Sequence, residues 1–174
     1  MKKFITLAAL FFFSITVLVA QDDEPPKRPT NIGVGDFDSF KNSAFDTHDA
    51  SIKLNEDTQK IDKEIKGYSG VLSTISIPKL KEDLAALRGI NKSQKEIRTQ
   101  LASLDDKGKA LLGSASDVKP KLKAPAATAN TKKSIGALDA TRKNLDGVNG
   151  LLTADAKLLM DELKSRGEKV EVFD

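Results

Sequence analysis

Residues that most often carry out chemistry are sparse in this chain. Its 174 residues include one histidine, His48, and no cysteine. His48 stands close to Asp46 and Asp49, which raises the question of an acid–base or metal site. On a helix, side chains share a face when they are three or four positions apart, so neither aspartate faces the imidazole. We therefore predict that His48 is a solvated surface residue.

Carboxylates occur as sequence neighbours rather than as facing groups. General acid–base catalysis needs two carboxylates that face each other in a cleft, whereas adjacent helix positions point about 100° apart. Lysines lie near each pair, so we predict solvated helix faces with ion pairs. With no second histidine and no Glu-x-x-His motif, the sequence predicts no catalytic, cofactor or metal site, and we expect the protein not to be an enzyme. The neighbouring pairs are Glu56-Asp57, Glu82-Asp83, Asp105-Asp106 and Asp161-Glu162.

Positive charge is the strongest local signal. Between positions 107 and 133 the chain has seven lysines and one acid, Asp117. Such a segment could contact anionic lipid headgroups, surface polysaccharide or an acidic partner, or it could be a solvated connection that balances acidic helices. No aromatic residue is interleaved, which argues against nucleic-acid binding. The candidates for weak contact with an anionic envelope surface are Lys119, Lys121, Lys123, Lys132 and Lys133.

The N-terminus has the organisation of an export signal. Lys2 and Lys3 precede an apolar run that ends at Val19, and Ala20 is a small residue suited to cleavage. Loss of these two lysines reduces 28 basic residues to 26, against 25 acidic ones. We expect a periplasmic or secreted protein with residues 1–20 removed; the alternative is an inner-membrane anchor formed by residues 4–20.

Three long stretches carry apolar residues at alternating spacings of three and four. The first runs from Phe37 to Tyr68, the second from Leu80 to Ala115 and the third from Ile135 to Leu163. This spacing keeps one stripe of each helix turned towards its neighbours. The sequence therefore predicts an all-α fold, an antiparallel three-helix bundle with coiled-coil-like heptad seams.

The predicted bundle has two weak points. Two glycines in the segment Gly147–Gly150 could break the third helix and give four helices, and Ser93 with Glu96 resembles a capping box after Gly89. The predicted boundaries are a disordered Pro-rich leader at 21–35, a bundle at 36–168 with helices at about 36–67, 78–115 and 131–168, a basic Pro/Ala loop at 116–130, and a tail at 169–174.

Polar residues interrupt the seams at Thr47, Ser51, Thr58 and Gln94. They weaken a closed core and could specify a register or an oligomeric state. The sequence favours an exported, non-enzymatic helical-bundle protein of the bacterial cell envelope. It would act through an unknown protein partner, through self-association of its seams or through surface contacts. The alternative is a periplasmic holdase chaperone or carrier that binds apolar clients or lipid.

Overall fold

A computed structural model describes residues 26–173. Within this range the chain forms three long α-helices and three short 3₁₀ turns, without a β-strand, which confirms the predicted three-helix bundle. Each helix packs against the other two. The predicted signal peptide lies outside the described residues, as do residues 21–25 of the leader. The helices are α1, Gly35–Lys66; α2, Ile77–Ser114; and α3, Ala124–Ser165.

The core is built from the predicted seams. In every one of the three stretches the seam residues are buried or partly buried. Leucine dominates this interior, and Phe40 and Phe45 are the aromatic residues that are almost completely buried. Straight apolar side chains at heptad spacing are what long helices need to remain in contact along their whole length. The fully buried leucines are Leu80, Leu87, Leu138, Leu145, Leu152, Leu159 and Leu163.

Helices α1 and α3 run parallel in a constant register. Thr141 Oγ1 lies 3.5 Å from His48 Nδ1, and Asn144 Nδ2 donates to Ser51 Oγ at 3.0 Å; the partners are 93 positions apart in both pairs. Helix α2 runs antiparallel to both. The bundle therefore goes up, down and up again, with the first and last helices side by side.

Polar seam residues find their partners within the chain. The hydroxyls of Thr47 and Thr58 donate to backbone carbonyls four residues earlier in α1. Gln94 Nε2 donates to the carbonyl of Leu145 on α3 at 2.7 Å. Satisfied in this way, these groups can be buried without the penalty of an unmade hydrogen bond.

All three helices meet at Gly108 on α2. A Cβ atom at this position would lie 2.7 Å from Phe40 Cζ on α1 and 3.3 Å from Ile135 Cγ1 on α3. Phe40 is fully buried. Gly108, which occupies a seam position in the sequence, is thus a point where three helices contact one another. A side chain there would collide with the Phe40 ring.

Neither predicted break occurs. The Ser93 hydroxyl donates to the carbonyl of Gly89 inside a continuous α2, and Gly147 and Gly150 lie within a continuous α3. Each interior glycine costs a helix about 1 kcal/mol relative to alanine. Packing along both neighbouring helices outweighs this cost. Ser76 caps α2, since its hydroxyl oxygen accepts a hydrogen bond from the Lys79 N–H.

Helix α3 begins at Ala124, seven residues before the predicted start. Pro125 lies in its first turn, where proline is tolerated because the backbone N–H there has no helical acceptor. Ala127 and Thr131 are already buried. The predicted loop at 116–130 therefore shrinks to two 3₁₀ turns, Ala115–Asp117 and Lys121–Lys123, between α2 and α3.

Residues 26–34 form an extended N-terminal strap against the bundle, although the sequence predicts a disordered leader there. Arg28 Nη2 contacts Asp46 Oδ1 at 2.7 Å and Asp49 Oδ2 at 2.8 Å, and its guanidinium lies 5.7 Å from the centre of the Phe45 ring. The ammonium of buried Lys41 donates to the carbonyl of Pro29 at 3.0 Å. These contacts hold a segment that has too few apolar residues to suggest order from its sequence.

Asp38 fixes the end of the strap. Its carboxylate accepts hydrogen bonds from the N–H groups of Ile32, Gly33 and Val34 at 2.8–3.1 Å. Although burial opposes ionisation, these three donors lower the pKa of Asp38. Asp38 lies in the first turn of α1 and holds the preceding backbone, while Val34 occupies the cap position itself.

At the opposite end, the connection and the tail pack on the core. Leu72 and Ile75 contact the core, and their carbonyls accept hydrogen bonds at 2.5 Å from the guanidinium of Arg166. The tail lies extended, with Val170 and Phe173 against the core cluster.

Candidate functional site

The five candidate lysines divide between two places. Lys119 and Lys121 are exposed in the turns that join α2 to α3. Lys123 is partly buried, and its ammonium donates to the carbonyl of Gly33 in the strap at 3.2 Å. Lys132 and Lys133 are exposed on α3, beyond the turns. Of the five predicted lysines, Lys119 and Lys121 therefore lie together at the end of the bundle, Lys123 contacts the strap, and Lys132 and Lys133 lie on α3.

Residues 119–123, which we call the basic tip, project from this end of the bundle. Leu122 is 90 % exposed, while Val118 just before the tip is 7 % exposed and belongs to a small apolar cluster with Phe37 and Ala127. Lys121 Nζ donates to the carbonyl of Ser116 at 2.8 Å. The tip thus holds an exposed leucine among lysines on an anchored turn.

His48 is buried, so the prediction of a solvated histidine was wrong. Only 4 % of its surface is exposed. It lies on a second buried stripe of α1, with Lys41 and Phe45, which packs against α3 and the strap. Spacing alone did not indicate this stripe because two of its members are polar. Burial lowers the pKa of His48, so the imidazole is neutral near pH 7.

His48 lies beside Thr141 of α3. The Thr141 hydroxyl donates to the carbonyl of Ala137 at 2.8 Å, and its oxygen lies 3.5 Å from His48 Nδ1. His48 Nε2 is buried and has no hydrogen-bond partner in residues 26–173.

An open groove between α1 and α3 passes His48, and we call it the His48 groove. Its cavity volume is about 620 Å³. Ile52, Gly136 and Ala140 line it with small or apolar surface, and Pro26 of the strap lies at its border. The polar lining consists of Lys27, His48, Lys133, Asp139, Lys143 and Asn144.

Carboxylates form ion pairs, as predicted from their spacing. Asp57 pairs with Lys60, Asp161 with Lys157 and Glu162 with Arg166. Asp83 departs from the predicted solvated face, because it is 2 % exposed and accepts hydrogen bonds from Lys79 and the Tyr68 hydroxyl, both at 2.7 Å. Within residues 26–173 no cluster of three or more histidine, aspartate or glutamate side chains could hold a metal ion.

A pair of buried carboxylates was not anticipated. Asp155 fills a seam position of α3 and is 5 % exposed, and Asp62 on α1 is 7 % exposed. Burial and the nearby charge of Asp62 raise the pKa of Asp155, while Lys66 opposes this effect. Lys66 Nζ contacts Asp62 Oδ2 at 2.8 Å, whereas Asp155 Oδ2 has no partner among residues 26–173. The sequence could have indicated this burial, because Asp155 occupies a position in the apolar seam of α3.

Comparison of this chain with protein-family models, with curated proteins and with solved structures finds no significant match. None of the helices within residues 26–173 has the length and apolar character needed to cross a membrane. Two local features can support a function: the basic tip and the His48 groove.

Proposed function

We propose that this chain is an exported, non-enzymatic helical-bundle protein of the bacterial cell envelope that contacts an anionic lipid surface through its basic tip. The observation that carries the proposal is Leu122, which is 90 % exposed between Lys121 and Lys123. Burying a leucine side chain contributes about 1.5–3 kcal/mol. Each lysine close to an anionic lipid surface adds about 1 kcal/mol.

These magnitudes describe a weak and reversible contact. Leu122 with Lys119 and Lys121 amounts to about 3.5–5 kcal/mol, which corresponds to a dissociation constant of roughly 0.2–3 mM. One such contact resembles a single membrane-attachment signal, which gives marginal binding by itself. Because half of the attraction is electrostatic, salt should weaken it.

The alternative of a holdase or carrier that opens its helices for large apolar clients has less support. The apolar side chains of α1, α2 and α3 pack on each other as one core cluster. Among residues 26–173, the other large exposed hydrophobic residues are Val71, Leu158 and Val172, which lie in the connection, helix and tail segments towards the far end of the bundle. Leu122 is thus isolated at the end that carries the lysines.

Co-sedimentation with vesicles tests the proposal. Binding to phosphatidylcholine vesicles should increase with the fraction of phosphatidylglycerol and decrease with added salt. Leu122→Ser should weaken binding roughly tenfold or more, since it removes the apolar contribution. The double substitution Lys119→Gln and Lys121→Gln should weaken it by a similar factor and reduce the salt dependence.

Matched substitutions elsewhere provide the control. Leu158→Ser removes another exposed leucine, and Lys92→Gln with Lys95→Gln removes two exposed lysines from α2. Both control proteins should bind the vesicles as the unmodified protein does. Tip variants that bind normally, or controls that lose as much affinity as the tip variants, would show that the tip is not the contact.

A further inference from the structure

The strap follows the groove between α1 and α3 in one direction. At the basic tip, the carbonyl of Gly33 accepts a hydrogen bond from Lys123 Nζ at 3.2 Å. Closer to the N-terminus, the carbonyl of Thr30 accepts from Asn130 Nδ2 of α3 at 2.9 Å. Pro26, where the strap begins, lines the His48 groove. The strap therefore runs back along α3 away from the tip, and the chain that precedes Pro26 starts inside this groove.

The rise of each segment gives the position that the strap has reached at Pro26. An extended chain advances about 3.3 Å per residue, whereas an α-helix rises about 1.5 Å. The step from Thr30 to Pro26 covers about 13 Å, or roughly nine residues of α3, which brings Pro26 level with Asp139. Pro26 and Asp139 both line the same groove, in agreement with this register. Two more extended residues along the same line reach the level of Lys143.

Charges in the groove beyond Pro26 are opposite to those of the chain that precedes it. Residues 21–25 have the sequence QDDEP, which contains three acids and no base. Lys143 lines the groove from α3 and is exposed. Lys53 is exposed on α1 and follows Asp49, a partner of Arg28, by one helical turn on the same face. Acids that continue the line of the strap thus approach one lysine from each helix.

We infer that residues 21–25 lie in the His48 groove as a continuation of the strap, with their carboxylates paired to Lys53 and Lys143. Ile52 of α1 and Ala140 of α3, both partly buried, give this part of the groove apolar surface for the aliphatic atoms of the segment. A proline-containing segment suits such a groove, because it is already extended and loses little conformational entropy on docking. The inference holds or fails independently of the proposed contact at the basic tip.

Disulfide trapping on the full chain tests the inference, because the chain has no cysteine of its own. Glu24→Cys with Lys143→Cys should form a disulfide within one chain under mild oxidation. Glu24→Cys with Lys132→Cys is the matched control, since Lys132 is also an exposed lysine of α3 but lies towards the basic tip. The first pair should react about tenfold faster or more, because docking holds its two thiols at a high effective concentration.

The contribution of charge is the second measurement. Because the first pair lacks Lys143 and Glu24, the remaining acids of the segment depend on Lys53. Asp22→Asn with Asp23→Asn should slow trapping about two- to fivefold, the contribution of an exposed ion pair, and added salt should slow it as well. As a control, Glu82→Gln with Glu96→Gln removes two exposed acids from α2 and should leave the rate unchanged.

Three results would overturn the inference. Equal trapping rates at positions 143 and 132 would show that residues 21–25 do not dock in the groove. A disulfide that joins two chains would assign the groove to the segment of a second copy. A trapping rate that responds neither to Asp22→Asn with Asp23→Asn nor to salt would show that the acids do not hold the segment.

Discussion

Replacing Gly108 by alanine should destabilise the bundle even though alanine is the better helix former. The added Cβ would lie 2.7 Å from Phe40 Cζ and 3.3 Å from Ile135 Cγ1. Carbon atoms pack at about 3.5–4.0 Å, so the ring would have to retreat by roughly 1 Å. Phe40 is fully buried and has no solvent to move into. Overpacking of this kind costs about 1–3 kcal/mol.

The comparison with Gly89 isolates that cost. Gly89 lies in the same helix, and a Cβ there would meet nothing within 4 Å. Gly89→Ala should therefore raise the free energy of unfolding by up to about 1 kcal/mol through helix propensity alone. Gly108→Ala receives the same gain, so it should be about 1–3 kcal/mol less stable than Gly89→Ala.

Urea denaturation followed by circular dichroism at 222 nm measures both free energies, provided that the slope with denaturant does not change. A double-mutant cycle with Phe40→Leu adds a second test, because leucine lacks the ring atoms that meet the new Cβ. The two substitutions together should cost less than the sum of each alone. Gly108→Ala with the stability of Gly89→Ala, or a cycle that is additive, would refute the proposed contact.

Three further substitutions concern buried polar groups, and urea denaturation at several pH values checks each. Asp155→Asn should raise the unfolding free energy at pH 7 by roughly 1 kcal/mol. Burial and Asp62 raise the pKa of Asp155, so as the pH rises above 3.8 the carboxyl ionises first in the unfolded chain and the folded state loses stability. The stability gain of the variant should vanish below pH 3.8, and a gain that persists there would show that ionisation of Asp155 is not its cause. His48 has its pKa lowered by burial, so the unfolded chain takes the proton first and stability should fall as pH drops below 6.5. His48→Phe should remove that part of the acid sensitivity, and an unchanged pH profile would be the contrary result. Gln94→Leu should change stability by less than about 1 kcal/mol, because the Leu145 carbonyl keeps its helical hydrogen bond; a loss above about 2 kcal/mol would contradict this expectation.

The buried seams could be predicted because their residues recur at a regular spacing in the sequence. Seam residues, including polar Thr58, Gln94 and Thr141, recur at spacings of three or four positions and are buried or partly buried in the structure. The continuity of α3 through its glycines was harder to predict. Gly147 and Gly150 suggest a turn by their local preference, but α3 has two helices packed along its length, and local preference is the weaker effect.

The candidate sites depended on contacts between segments, which periodicity does not report. The strap covers a second stripe of α1 because Arg28 reaches Asp46 and Asp49, and nothing in either segment alone indicates that pairing. His48 lies on this stripe and is buried beside Thr141 of α3. Lys119 and Lys121 of the charge run are exposed, but the exposure of Leu122 between the lysines depends on how two short turns join the helices.

The parallel register of α1 and α3 has a consequence for how the chain folds. Partners such as Ser51 and Asn144 are 93 positions apart, so these contacts have a high contact order. Helices α2 and α3 are neighbours in the sequence and can associate as a hairpin with a short loop closure. Helix α1 can pair with α2 in the same way, but the side of α1 that packs on α3 stays uncovered until α3 has emerged. A chain made from its N-terminus therefore exposes this side of its first helix longest, and that is where a chaperone or an aggregating neighbour would bind first.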